Sequence, residues 1–216
     1  MMKKSCVLFL SALFIFLSSC RDIRKEYYAN GVLKQQIQFT HDQPNGVATW
    51  FYENGKKMME CTYVNGSIEG KMTRWNFTGS VESQVMFKNN IRNGMSINNY
   101  ENGTPFLEDE YVNDTLNGMH VEYHPNGQIK VKGKNKNNLW DGKWEYFDER
   151  GIKVGEATFN SGSGVLKGFY WNGRLKRTQC YANNQRDGKE IWYKENGEVE
   201  KNLTYKQDRI VGDDMK

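Results

Sequence analysis

The sequence offers few residues whose types and spacing could support chemistry. The segment HVEYH, His120 to His124, holds two of the three histidines. On a helix such a pair could share a zinc ion, but this segment lies in a predicted strand, where the two imidazoles stand about 13 Å apart. Its glutamate also occupies the wrong place for the HExxH motif of zinc peptidases. His120 with Glu122 stays open as a two-ligand alternative to ordinary surface roles, and we predict no metal site.

Other catalytic motifs are absent from the sequence. The tetrapeptide SGSG, Ser161 to Gly164, lacks the strand-to-helix turn of a nucleophile elbow. We interpret it as a loop that absorbs a two-residue deletion in one of the tandem repeats of this chain. The chain has no phosphate-binding loop and no Cys-x-x-Cys motif. We therefore predict a protein that is not an enzyme, with no catalytic residue and no cofactor.

The first twenty residues have the pattern of an export signal. Two lysines precede the apolar run Cys6–Leu17, which is too short for a permanent membrane helix. The run ends in LSSC, which resembles a bacterial lipobox; in lipoproteins of that kind the cysteine, here Cys20, is acylated and cleavage occurs just before it. An ordinary cleaved signal that leaves a free thiol is the alternative. We expect a signal peptide over residues 1–19 and a lipidated tether over residues 20–26.

The residues after Cys20 indicate to which bacterial membrane a lipidated chain would be attached. Arg21 follows and then Asp22, so the aspartate is not directly after the cysteine and the simplest inner-membrane retention signal is absent. We expect attachment to the outer membrane of a bacterial cell envelope. The tether reaches about 20 Å, so the folded array must begin near the membrane. Cleavage removes two lysines and lowers the net charge from +4 to +2, which leaves no footprint for nucleic-acid binding.

The rest of the chain repeats itself. Two ladders of glycines advance in steps of 24 residues, and each has a single step of 22 at the same place. The first ladder is Gly31, Gly55, Gly79, Gly103, Gly127, Gly151, Gly173 and Gly197; the second is Gly46, Gly70, Gly94, Gly118, Gly142, Gly164, Gly188 and Gly212. A deletion shared by two ladders indicates tandem repeats, and we count eight over residues 27–212, followed by a tail over residues 213–216.

Each repeat carries the signals of a β-hairpin. Asn-Gly between strand-forming residues, present at six first-ladder glycines, predicts a type I′ turn. One aromatic column lies four residues before that glycine: Tyr27, Phe51, Trp75, Tyr123, Phe147, Phe169 and Tyr193. A second column lies eight residues after it: Phe39, Tyr63, Phe87, Tyr111, Phe159, Tyr181 and Tyr205. Shared parity assigns these columns to one face of the strands, where they would form the core.

These signals predict an all-β fold, an elongated antiparallel sheet or solenoid of about eight tandem 24-residue hairpins. Its sixteen strands would extend for about 75 Å at roughly 4.8 Å per strand. Cys61 and Cys180 would then lie on the order of 45 Å apart, so we predict that both are free.

The repeat motifs also resemble a known family. YENG, found at Tyr52–Gly55 and Tyr100–Gly103, and DGKWEYF, Asp141–Phe147, are similar to the MORN repeat variant of bacterial proteins, some of which are called YwqK-like antitoxins. The resemblance covers nearly the whole mature chain. It implies an elongated antiparallel sheet and roles in scaffolding, membrane association and protein binding. Asn99, Asn135 and the shortened sixth repeat depart from the pattern.

Two surface features are candidates for binding. Residues of the opposite parity supply a candidate binding face, for which cross-strand packing is the alternative: Trp50, Tyr52, Tyr100, Tyr146, Tyr170 and Trp192. Alternating lysines that would all face one way supply a candidate basic patch for anionic lipid or polysaccharide, for which a solvated strand is the alternative: Lys130, Lys132, Lys134 and Lys136.

We therefore expect an exported, membrane-anchored lipoprotein whose repeat surface is a non-catalytic scaffold for a protein partner. The alternatives are a module that binds cell-wall glycan or lipid, and an antitoxin or immunity protein that neutralises a toxin.

Overall fold

A computed structural model describes residues 21–214 of the protein. These residues form one sheet, in which each strand pairs antiparallel with the strands before and after it in the chain. No element of the described range is a helix that could span a membrane. The strands are β1 (Arg21–Tyr27), β2 (Leu33–Thr40), β3 (Gln43–Phe51), β4 (Lys57–Val64), β5 (Ser67–Trp75), β6 (Val81–Lys88), β7 (Ile91–Asn99), β8 (Pro105–Val112), β9 (Thr115–Tyr123), β10 (Ile129–Lys136), β11 (Leu139–Phe147), β12 (Lys153–Asn160), β13 (Ser163–Phe169), β14 (Leu175–Ala182), β15 (Gln185–Tyr193), β16 (Val199–Lys206) and β17 (Arg209–Asp214).

The predicted all-β array of tandem hairpins is confirmed, with a difference at each end. β17 adds one strand to the sixteen expected from eight hairpins. At the other end, residues 21–26 pair with β2 as part of β1, although we expected them to form a tether. Within the described residues the sheet therefore begins at Arg21. Cys20 itself, the predicted signal peptide and residues 215–216 lie outside the described residues.

Two kinds of turn alternate along the chain. The first-ladder glycines close three-residue loops: Tyr28 N–H donates to Val32 O at 2.8 Å, and Gly31 N–H donates to Tyr28 O at 2.9 Å. Only the glycine of such a loop has a positive φ, as in a type I turn that ends in a glycine bulge, so the predicted type I′ turn is wrong here. Type I′ geometry occurs instead in the two-residue loops at the other end of the strands, such as Asn89–Asn90, with φ of 52° and 66°.

Strand pairing assigns the side chains to two faces, because residues directly opposite each other lie on the same face. One row of such partners runs from Trp50 through Tyr146 to Trp192. We call the face that holds this row and Trp144, two residues from Tyr146, the Trp144 face. The opposite face, which holds Thr49 next to Trp50, is the Thr49 face.

The two aromatic columns lie on opposite faces, so the prediction that they share one face is wrong. Phe159 of the second column packs on Trp144, with ring centroids 6.2 Å apart. Phe147 of the first column lies on the Thr49 face, where the Lys132 ammonium stands 5.3 Å from its ring centroid. The reason is the bulge beside each three-residue loop, where the register shifts by one residue and the strict alternation behind the parity argument is lost.

Six glycines of the second ladder, all except Gly164 and Gly212, lie in larger bulges. Around Gly118, β9 has two more residues than the segment of β8 with which it pairs. A Cβ on Gly118 would lie 2.0 Å from Oε2 of Glu110. This close approach and the φ of +139° both require glycine. The shortened repeat lacks the bulge, since β12 and β13 pair without a register shift. The interpretation of SGSG was therefore wrong: Ser161 and Gly162 form an ordinary two-residue turn, and the deletion falls within β13.

Side chains of the three-residue loops tie each repeat to the next. Tyrosine hydroxyls donate to the backbone carbonyl 23 residues later at 2.6–2.8 Å, in the pairs Tyr28 to Phe51, Tyr52 to Trp75, Tyr100 to Tyr123, and Tyr170 to Tyr193. His124 occupies the same position in its repeat, with Nε2 2.9 Å from the carbonyl oxygen of Phe147. These bonds join the loops of consecutive hairpins at one end of the strands.

At the other end of the strands, Asn184 spans the shortened repeat. In a regular repeat the second turn residue accepts one backbone bond, as Asn138 Oδ1 does from Leu116 N–H at 2.9 Å. Gly162 holds that position in the shortened repeat and has no side chain. Asn184 of the following repeat reaches across it: its Oδ1 accepts from Trp140 N–H and its Nδ2 donates to Asn138 O, both at 2.9 Å.

We expect Asn184→Gly to lower the free energy of unfolding by about 2 kcal/mol, because it removes two hydrogen bonds to backbone groups at about 1 kcal/mol each. Asn138→Gly is the matched control, since it removes one such bond at an equivalent turn position where glycine also tolerates the positive φ. Urea unfolding followed by circular dichroism gives both values. Equal losses in the two variants would show that Asn184 has no bridging role.

Candidate functional site

Repeats five to seven contain a cluster of buried apolar side chains on the Trp144 face: Val131, Trp144, Ala157, Phe159 and Leu166. The half-buried Trp140, Tyr146 and Tyr181 pack against it. Trp140 lies at the centre of the aromatic part, with its ring centroid 5.5 Å from that of Trp144, 5.1 Å from that of Phe159 and 5.3 Å from that of Tyr181. Rings at such separations attract each other beyond their burial.

Three strand glycines outside both ladders shape this cluster. A Cβ on Gly133 would lie 2.2 Å from the Trp144 indole, so the absence of a side chain lets that ring lie over the strand. Gly155 and Gly168 pair directly across β12 and β13, between Tyr146 on β11 and Arg177 on β14. The row therefore has two successive positions without side chains.

The gap above Gly155 and Gly168 is a hollow of about 590 Å³. Its walls are the aromatic side chains Trp140, Trp144, Tyr146 and Tyr181, and its polar residues are His120, Glu122 and Arg177. A mostly apolar concavity with a few converging polar groups is the usual form of a small-ligand site. We refer to this feature as the hollow.

His120 is held in a chain of charges at one side of the hollow. Its Nδ1 lies 2.7 Å from Asp109 Oδ1 and its Nε2 lies 3.5 Å from Glu122 Oε1. Burial alone would lower the pKa of His120, but the hydrogen bonds and charges of these two carboxylates outweigh burial and raise it to about 9. The hydrogen bond from His120 and the hydrogen bond and charge of Lys130 lower the pKa of Glu122 to about 2. They outweigh burial, which would raise it. At neutral pH the imidazole of His120 is therefore a cation and Glu122 is a carboxylate.

Arg177 occupies the opposite side of the hollow. Its guanidinium lies 3.4 Å from Glu190 Oε1 and stands 5.0 Å from the ring centroid of Trp192. Glu122, across the hollow, is bound by Lys130 at 3.0 Å as well as by His120. Each charged group at the hollow thus has a protein partner of opposite sign, and little net charge is left to attract an ionic ligand.

Three polar atoms of the aromatic walls have no partner in the sheet. The hydroxyls of Tyr146 and Tyr181 take part in none of the hydrogen bonds within residues 21–214. Burial raises the pKa of both phenols, so they are neutral donors at physiological pH. The Trp144 indole nitrogen is buried and lacks an acceptor in this part of the chain, which costs on the order of 1–3 kcal/mol.

The structure separates the six aromatics of the candidate binding face. Tyr146 lies in the hollow, and Trp50 and Trp192 occupy the same row on other strands. Tyr52, Tyr100 and Tyr170 are the tyrosines whose hydroxyls tie neighbouring repeats, so their polar ends are already used. All six are half-buried rather than fully exposed. They do not form one continuous surface, and their role in binding stays a prediction.

The four lysines of the candidate basic patch are also divided. Lys130 lies in the bulge of β10 and pairs with Glu122 of the Trp144 face at 3.0 Å. Lys132 pairs with Glu145 at 3.0 Å, in a row on the Thr49 face. The expectation that Lys130, Lys132, Lys134 and Lys136 share one direction therefore fails at Lys130, because the bulge interrupts the alternation there.

The remaining candidates have structural surroundings. Cys61 is buried and Cys180 half-buried, and both are free thiols. Within residues 21–214 no group of three or more histidine, cysteine, aspartate or glutamate side chains has the arrangement of a metal site. His120 and Glu122 do meet, but as members of the charge chain with Asp109.

Sequence reasoning missed most residues of the hollow. Trp140, Trp144 and Arg177 belong to neither aromatic column, and their positions hold other residue types in the other repeats. The available signal was the set of strand glycines that belong to neither ladder, Gly133, Gly155 and Gly168. Non-turn glycine in a strand marks a close approach or a missing side chain: Gly155 and Gly168 line the hollow, and Gly133 lies against the ring of Trp144, one of its walls.

The sequence model of the MORN repeat variant matches the chain in four segments, residues 23–41, 44–65, 116–137 and 186–207. Each segment covers one hairpin with its three-residue loop: β1–β2, β3–β4, β9–β10 and β15–β16. The hairpins of β11 to β14, which build most of the hollow, lie outside these segments. No match to a curated protein was found.

The raised pKa of His120 predicts a loss of stability at alkaline pH. The folded pKa of about 9 exceeds the ordinary value of 6.5, so the contribution is fully present below pH 6.5 and is lost as the pH rises through 9. We expect the free energy of unfolding to fall by about 1–3 kcal/mol over that window. Urea unfolding at several pH values measures it. His120→Gln should remove the alkaline loss of stability, and the control His41→Gln, at an exposed histidine, should retain it. If the free energy of unfolding of His120→Gln changed with pH as it does in the native chain, the loss could not be assigned to His120.

Proposed function

Because the chain carries MORN repeat variants, we propose that it is a non-catalytic binding scaffold, exported and lipid-anchored at Cys20, that takes up its ligand in the hollow. The observation that carries this proposal is the hollow itself. It lies where two successive strands of an otherwise side-chain-filled row have glycine, at Gly155 and Gly168. A repeat array that served only as a spacer would gain by filling that position, since burial of apolar area stabilises the sheet.

The surroundings of His120 support a role without catalysis. Ser96, Asp109 and His120 are neighbours in one row and have the residue types of a hydrolase triad. However, the carboxylate lies between the hydroxyl and the imidazole, whereas a triad requires the imidazole in the middle. With a pKa of about 9, His120 is also protonated at neutral pH and cannot act as a general base.

The proposed anchor would determine where the hollow lies relative to the membrane. β1 begins at Arg21, so a lipid on Cys20 would hold the β1 edge of the sheet at the bilayer surface. The hollow is centred between β12 and β13, eleven to twelve strand spacings from that edge, or about 55 Å along the sheet. A sheet that projects from the membrane would present the hollow well away from the headgroups.

The anchor is tested by Cys20→Ser. We expect the native chain in the detergent phase of a Triton X-114 partition, with an N-terminal peptide whose mass includes acyl chains, and the variant in the aqueous phase. Cys180→Ser is the control, since that free thiol lies within the sheet and should not affect partitioning. A Cys20→Ser chain that still partitions into detergent would contradict lipid anchoring.

The binding site is tested by site-specific photocrosslinking in intact envelopes. A benzophenone amino acid in place of Tyr146, in the hollow, should give a covalent adduct that depends on ultraviolet light. The same group in place of Lys167, which is exposed on the Thr49 face, should not give that adduct. Identical adducts at both positions, or none at Tyr146, would rule out the hollow as the ligand site.

A further inference from the structure

We propose that the ligand of the hollow is a neutral glycan, one pyranose ring of which lies on Gly155 and Gly168 between Tyr146 and Arg177. This inference rests on the proposed function of the hollow and adds the chemical class of its ligand. It is carried by the size of the gap, the aromatic walls, the unused hydroxyls and the paired charges.

The gap has the width of a single ring. Tyr146 and Arg177 are three strand spacings apart along their row, or about 14 Å between α-carbons, and the two positions between them have no side chain. Backbone atoms of β12 and β13 therefore form the floor. After allowance for the two flanking side chains, the space fits one six-membered ring, with the neighbouring rings of a chain outside it.

The walls suit the C–H faces of a sugar. Trp140, Trp144, Tyr146 and Tyr181 present π-systems whose faces are electronegative. The C–H bonds of a pyranose are polarised by the adjacent oxygens and are attracted to such faces, whereas the hydroxyl groups project around the ring. An aliphatic ligand would bury area on these walls but would leave the hydroxyls of Tyr146 and Tyr181 without partners.

The polar groups around the hollow match hydroxyls better than ions. The phenols of Tyr146 and Tyr181 are unused donors and acceptors, Glu122 accepts, and Arg177 donates. The three charged side chains, His120, Glu122 and Arg177, already have partners of opposite sign, so an anion such as a phosphate headgroup would meet no free positive charge. A sugar hydroxyl both donates and accepts, and it can therefore bond to carboxylate, guanidinium and phenol without bringing a net charge.

A direct test is titration of the full-length, detergent-solubilised chain with cellotetraose, maltotetraose and chitotetraose. We expect at least one of these uncharged sugars to bind saturably, with a change in tryptophan fluorescence from the walls, and calorimetry gives the affinity. Lack of binding by all three at about 10 mM would overturn the assignment of a neutral glycan.

Two variants show whether binding occurs in the hollow. Gly168→Val fills the floor, and its Cβ would meet only Arg177 Cβ and backbone oxygens at 3.8–4.0 Å, so the sheet can accept it. We expect at least tenfold weaker sugar binding, against no change in Lys167→Val on the opposite face of the same strand. Tyr181→Phe removes a single hydroxyl from the hollow, and we expect it to weaken binding several-fold with the fold intact. Unchanged affinity in both Gly168→Val and Tyr181→Phe would overturn the proposal.

The photocrosslinked adduct at Tyr146 separates failure of this inference from failure of the proposed function. An adduct that loses its extra mass on treatment with glycosidases supports the glycan. A protein adduct, together with no sugar binding, overturns the glycan and leaves the hollow as a binding site for a protein. No adduct and no sugar binding would overturn both.

Discussion

Every stabilising contact in this protein follows from one constraint: the described residues form a single layer, and no second layer covers either face. A hairpin in such a sheet can bury its side chains only against the hairpins beside it. This explains why bonds between repeats are so regular, with tyrosine hydroxyls tying the three-residue loops and asparagine and aspartate side chains tying the two-residue turns. It also explains why Asn184 has to bridge two repeats where Gly162 offers no side chain. Loss of one of these side-chain hydrogen bonds would weaken the contact that keeps two consecutive hairpins in register.

The same constraint makes departures from the repeat informative. In a regular array each position of the row holds a side chain that covers its neighbours, so Gly155 and Gly168 create a gap that no other part of residues 21–214 fills. Around it the sheet concentrates its most buried aromatic residues and a chain of charges through His120. The cluster thus combines buried apolar side chains with polar atoms that have no partner within residues 21–214. That combination is what distinguishes a binding site from a core, where polar atoms without partners are costly.

Prediction from the sequence succeeded where local rules operate and failed where register intervenes. The period, the hairpins and the glycine ladders follow from turn chemistry within a few residues, and all were confirmed. The assignment of faces failed at residues such as Phe147 and Lys130, because a bulge of one residue reverses which way a side chain points. The type I′ turns were misplaced because pairs such as Asn89–Asn90 adopt positive φ without a glycine. Of the six aromatics proposed for binding, only Tyr146 lies in the hollow.

The sequence by itself therefore determined the architecture: eight repeats, their hairpins and the presence of a two-residue deletion can all be read from residue types at fixed spacing. Only the tertiary structure decided which face each side chain occupies, that the deletion removes a bulge from β13, and that His120 lies between Asp109 and Glu122. The physical reason is the range of the interactions. Turns and strands depend on neighbours along the chain, whereas the hollow depends on residues from β9 to β14, up to 61 positions apart, that meet only when the registers of five successive strand pairs are set.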